Sequence, residues 1–121
     1  MRAGLAGAVV ALVVSAGLAF AGPVGRMLPK DIESTFFNGQ AFTASTPSNI
    51  KFKMVFSADG KMTREPISKT GAKSEGTWKL NADGFCTTWK GSRENCYRVQ
   101  ASGNNKWSII AGTTAVAYWS K

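Results

Sequence analysis

The chain has no histidine. That removes the usual general base, the Ser/His and Cys/His nucleophile pairs, and the commonest zinc ligand. Acidic residues are also few: seven Asp and Glu stand against fifteen Lys and Arg, a formal net charge of +8 over 121 residues. Glu65, Glu75, Asp83 and Glu94 are scattered, so a glycosidase-type carboxylate pair would need folding to join two of them. No local cluster offers the oxygen ligands of a calcium site. The two cysteines are not in a Cys-x-x-Cys motif, the common spacing of a redox dithiol. The basic stretch Ser68 to Ser74 lacks the Walker pattern of a phosphate-cradling loop. There is no low-complexity segment, no coiled-coil heptad and no long linker. These absences point away from an enzyme and leave no catalytic residue, metal ligand or cofactor motif to name.

The N-terminus reads as a targeting segment. Met1-Arg2 precedes an apolar run from Leu5 to Phe20, and Ala19-Phe20-Ala21 fits the small-x-small rule for cleavage. The run is short against the roughly 20 residues of a membrane span, and Gly22-Pro23 follows at once. Residues 1–21 are therefore expected to be a signal peptide, with neither the cysteine of a lipoprotein nor a twin-arginine pair. Residues 22–121 form one domain, periplasmic or secreted, with no membrane span after cleavage. Such a basic exported domain suits an anionic envelope lipid, an acidic glycan or an acidic protein as partner. Nucleic acid is a ligand that an exported protein seldom meets.

The centre of the chain is Gly76 to Val99, GTWKLNADGFCTTWKGSRENCYRV. Thr77 to Leu80 alternates apolar and polar residues, the period of a half-buried strand. Asp83-Gly84 supplies a hairpin turn, with the positive φ that tight hairpins need. Phe85 to Lys90 is the next strand, Gly91-Ser92 the next turn, and Cys96 to Ala101 the return. A turn centred on Gly91 sets Cys86 opposite Cys96, Phe85 opposite Tyr97, and Trp89 opposite Arg93 as a cation–π pair. Opposed cysteines in a non-hydrogen-bonded pair are close enough for a disulfide, and an oxidising compartment permits one. Closing so short a loop stabilises by about 3 kcal/mol in the chain-entropy model.

Elsewhere, Pro29 to about Asn38 reads as a short helix with Leu28, Ile32 and Phe36 on one stripe. Gln40 to Ser45, Ile50 to Phe56, Lys61 to Glu65, Lys106 to Ala111 and Thr114 to Trp119 read as further strands. Ile50, Phe52, Met54 and Phe56 share one face; Lys51 and Lys53 share the other, which should meet water. Short strands with turns every 8–12 residues predict an all-β fold. Consecutive tight turns favour a small antiparallel up-and-down barrel or meander of seven or eight strands, with the helix as a lid or side plug and one disulfide.

The run Gly76-Thr77-Trp78-Lys79, Gly84-Phe85-Cys86, Trp89 and Cys96-Tyr97, with the opening Leu28, Ile32 and Phe36-Phe37-Asn38-Gly39, resembles a pattern in small exported proteins of alphaproteobacteria. The likeness spans about Leu28 to Trp119. It implies a lipocalin-like or calycin-like meander and a Cys86–Cys96 pair, and it brings no catalytic residue, since that group has no assigned activity. A weaker likeness, in architecture alone, is to small periplasmic lysozyme inhibitors.

Two candidate sites follow. Lys51, Lys53, Lys79, Lys90, Arg93 and Arg98 are a candidate basic binding face. Trp78, Trp89, Trp107 and Trp119, with Phe52, Phe56, Phe85 and Tyr97, either line a cavity or fill the core; in a barrel this small, side chains commonly fill the interior. The expected role is a binding module for an anionic or small apolar ligand. The alternative is an inhibitor or partner-binding protein acting through an exposed loop, Ser68 to Ser74 or Lys90 to Asn95. The oxidised protein should titrate with no free thiol in the absence of reductant. Two titratable thiols would overturn both the bridge and the register behind it.

Overall fold

Tight turns between alternating strands determine how this chain runs. The computed structural model describes residues 25–67 and 70–121. Helix α1 (Pro29–Phe36) precedes strands β1 (Ala41–Ser45), β2 (Lys51–Phe56), β3 (Lys61–Pro66), β4 (Ser74–Leu80), β5 (Phe85–Trp89), β6 (Asn95–Gly103), β7 (Lys106–Ala111) and β8 (Thr114–Ser120). Each strand pairs antiparallel with the next, and β8 returns to β1 through Ala44↔Trp119 and its neighbours. The result is a closed eight-stranded up-and-down barrel, so no strand edge is left open. The expected signal peptide and residues Ser68 and Lys69 of the basic loop lie outside the described residues. Among the described residues no helix is long and apolar enough to cross a membrane.

The turn residues act by different means. Gly60 and Gly91 take φ of +93° and +84°, a region only glycine enters at low cost. Gly84 does not, contrary to the hairpin reading. The Asn81 side chain closes that turn by accepting from the Asp83 and Gly84 amides at 3.0 and 2.7 Å. Glycine is needed at 84 for a different reason: a Cβ there would lie 2.1 Å from the Tyr97 carbonyl oxygen. Gly76 is similar, since its Cβ would meet the Thr88 carbonyl oxygen at 2.5 Å and Met62 Cε at 2.8 Å.

The pairing of β5 with β6 sets Phe85 opposite Tyr97 and Cys86 opposite Cys96, and the two sulfurs are bonded. It ends at Thr87↔Asn95, so Trp89 does not face Arg93. Trp89 pairs instead with Gly76 of β4, and the cation on its ring is Arg64 of β3. Gly76 puts no side chain on the inward side between β3 and β5, where the Met62 methyl lies over it. The far half of β6 outruns β5, and the chain ahead of α1 lies along it. There Arg26 bridges Gln100, the Met27 amide donates to the Val99 carbonyl at 2.9 Å, and the Arg26 guanidinium pairs with Asp83 at 2.9 Å.

Helix α1 closes one end of the barrel. It spans eight residues and has no side-chain N-cap; helices this short are marginal alone and depend on packing. Ile32, Phe36 and Phe37 are at most 1% exposed, whereas Leu28, the first residue of the expected stripe, is 37% exposed. Phe36 sets its edge against Phe42, Trp107 and Trp119 at 4.8–5.0 Å between centroids. Phe37 stacks on Phe56 at 4.6 Å and lies 4.4 Å from Trp78. The Lys121 ammonium donates to the Thr35 carbonyl and ties the chain end to the helix. Phe37→Ala should cost about 3–5 kcal/mol, the range for an aromatic removed from a packed core, read as a fall in the urea midpoint. A loss below about 1 kcal/mol would show that the plug does not carry the fold.

Candidate functional site

The end opposite α1 is open, and behind it lies a cavity of 210 Å³. Its depth is built from Phe56, Phe85, Ile109 and Trp119, and its upper wall from Phe52, Trp89, Tyr97 and Val116. The space exists because the residues change along the strands. At the helix end the inward positions are large aromatics that mesh with Phe36 and Phe37. Towards the mouth, β1 and β8 offer Ala44 and Ala117, and among the described residues no helix reaches in. The barrel is thus packed at one end and hollow at the other, so that some of the candidate aromatics fill the core and others line the cavity. An eight-stranded barrel has just the width for either outcome.

Five polar side chains interrupt this apolar wall: Ser45, Thr46, Arg64, Thr87 and Tyr97. Arg64 is half-buried. Its guanidinium carbon lies 4.5 Å from the Trp89 ring centroid and 5.1 Å from that of Phe52. The ion pairs of Arg26 with Asp83 and Lys79 with Glu94 lie elsewhere, and among the described residues no carboxylate pairs with Arg64. Thr87 is only 5% exposed; its hydroxyl makes no hydrogen bond to the described residues and is not sealed from solvent. Arg64 and Trp89 also border a second, outward depression of 440 Å³ shared with Lys73, Ser74, Glu75, Lys90 and Ser92. The cavity and this outer cleft therefore meet at one stacked pair.

The aromatic candidates divide in two. Trp89 and Trp119 line the cavity, while Trp78 and Trp107 pack on Phe37 and Phe36. The Trp78 indole also donates to the Ser57 carbonyl at 2.8 Å. The six cations of the candidate basic face are dispersed. Lys51 and Lys53 are exposed on β2, and Arg98 lies on β6, four strands away around an eight-strand ring. Lys79 pairs with Glu94 at 3.1 Å, and Arg98 donates to the Gly112 carbonyl. Lys90 and Arg93 lie in the β5–β6 loop at the mouth. Cys86, Glu94 and Cys96 fall within metal-ligand reach of one another, but both sulfurs are in the disulfide, leaving a single carboxylate.

Sequence reasoning passed over Arg64 and Thr87. The signal was present: Met62 and Arg64 share one face of β3, and Thr87 alternates with Phe85 and Trp89 on β5. Each is a polar residue at an inward position of a two-residue period. Since the Thr87 hydroxyl gives up no protein hydrogen bond, Thr87→Val should shift stability by less than about 1 kcal/mol, measured by urea unfolding. A loss well above that would mean the hydroxyl holds the wall together. No family model matches this chain, and neither a curated protein nor a solved structure does so.

Proposed function

We propose that this chain is an exported, non-enzymatic binding module that takes one small, largely apolar molecule into the open end of its barrel. The observation that carries the reading is the 210 Å³ cavity, walled by aromatic side chains and closed below by the helix plug. Apolar cavities of about 150 Å³ hold benzene, and drug-sized ligands occupy about 300–1,000 Å³. A volume between these fits a single ring or a short acyl chain. Pockets with a mostly apolar wall and a few converging polar groups are the common form of small-molecule sites, and the absence of histidine, together with the scattered carboxylates, supports binding without chemistry.

Trp89 and Trp119 border the cavity, so their emission reports what enters it. Titration with 1-octanol should give a saturable change in tryptophan fluorescence. Ala117→Phe fills the space and should abolish that change while the urea midpoint stays within about 1 kcal/mol of wild type or rises. A response that is linear in octanol, or a saturable one that survives Ala117→Phe, would overturn the reading.

A further inference from the structure

We propose that the ligand carries an acidic head group and that Arg64 is the residue that binds it. This rests on the cavity reading above and assigns the polar end of the same molecule.

Arg64 occupies an inward position on β3 with no acidic partner among the described residues. Withdrawing a cation from water is costly unless it is paired, and stacking against two rings offsets only part of that cost. The geometry of the stack matters. Phe52 and Trp89 engage the guanidinium through their ring faces. A guanidinium has five N–H donors in its plane, and none of those on Arg64 is used in a hydrogen bond to the described residues. A planar, fixed fork of that kind matches a carboxylate or phosphate through two parallel hydrogen bonds.

The surroundings favour the same charge. Arg64 stands where the cavity meets the outer cleft, so a head group on its edge leaves the apolar end in the hollow and faces the cleft. Lys73 and Lys90 border that cleft together with one carboxylate, Glu75, and two hydroxyls, Ser74 and Ser92. Counting Arg64, cations outnumber carboxylates there by three to one. Inside, Thr87 offers a hydroxyl that no described protein group engages. An acidic amphiphile uses all of these: its tail fills the aromatic hollow, and its head takes the unused donors of Arg64.

Octanoate, octyl phosphate and 1-octanol share one tail and differ in the head, and each can be titrated into the full chain at low salt by tryptophan fluorescence. Octanoate or octyl phosphate should bind at least about tenfold tighter than octanol, the gain from a charge-assisted hydrogen-bonded pair. Arg64→Met keeps an apolar side chain between the two rings and should close the gap between acid and alcohol; its urea midpoint serves as the check on folding. If octyl phosphate exceeds octanoate, and Lys73→Ala with Lys90→Ala removes only that excess, the head is a phosphate that also reaches the cleft. If octanoate binds as well or better, it is a carboxylate. Should both acids bind no tighter than octanol in the wild type, the head-group assignment falls while the cavity reading stands. Should none of the three saturate, both fall.

Discussion

The fold depends on Phe36 and Phe37 entering one end of a closed barrel. Closure alone satisfies the backbone, since every strand has a neighbour on each side. It does not fill the interior. An eight-stranded ring encloses more space than short side chains can occupy, and the interior at this end is completed by a helix that has little stability of its own. The exchange is mutual. The barrel gives α1 an apolar place for Ile32, Phe36 and Phe37, and α1 gives the barrel the two rings around which Phe42, Phe56, Trp78, Trp107 and Trp119 are arranged. The C-terminal Lys121 then caps the arrangement from outside through the Thr35 carbonyl.

Plugging one end has a consequence for the other. Because α1 supplies bulk at the floor, Trp119 and Phe85 need only reach across the middle of the barrel, and small or slender residues, Ala44, Thr87 and Ala117, stand among the larger ones of the remaining wall. The disulfide belongs to the same economy of covering. It joins β5 to β6 where their pairing is only three residues long, the shortest stretch between consecutive strands. Beyond that stretch, residues 25–27 take over as the partner of β6. Weak lateral pairing is thus reinforced by a covalent bond within the short ladder and by the leading segment beyond it.

Much of this was legible in the sequence because it rests on short-range rules. Alternation placed Phe52, Met54 and Phe56 inward and Lys51 and Lys53 outward, as the burial of β2 shows. Turn residues set the meander, and the Gly91 turn fixed Cys86 against Cys96. What escaped depends on contacts between distant strands. Trp89 meets Arg64 rather than Arg93 because β5 stops pairing with β6 at Thr87↔Asn95 while it stays paired with β4 as far as Gly76. Gly84 looked like a turn residue with positive φ, whereas its role is to let β6 approach. The dispersal of the six cations follows from barrel order, which puts β2 and β6 on opposite sides; a linear sequence shows their number but not their bearing around the ring.

The site itself lies where local consistency breaks. Along β3 and β5 the inward positions are Met62, Phe85 and Trp89, except at Arg64 and Thr87. Aliphatic side chains at those two positions would pack the wall without the cost of holding a cation half-buried. Sequences that specify one structure violate such rules mainly where function requires it. Solvent alone does not account for the violation at Arg64. A surface arginine would satisfy its donors in water, whereas this one is half-buried with its guanidinium carbon 5.1 Å from the Phe52 ring centroid and 4.5 Å from that of Trp89. Two ring contacts restrict the side chain, and a restricted group loses less freedom when it engages a partner. Among the described residues, Arg64 is the cation that stands at an inward barrel position with ring contacts and no carboxylate partner.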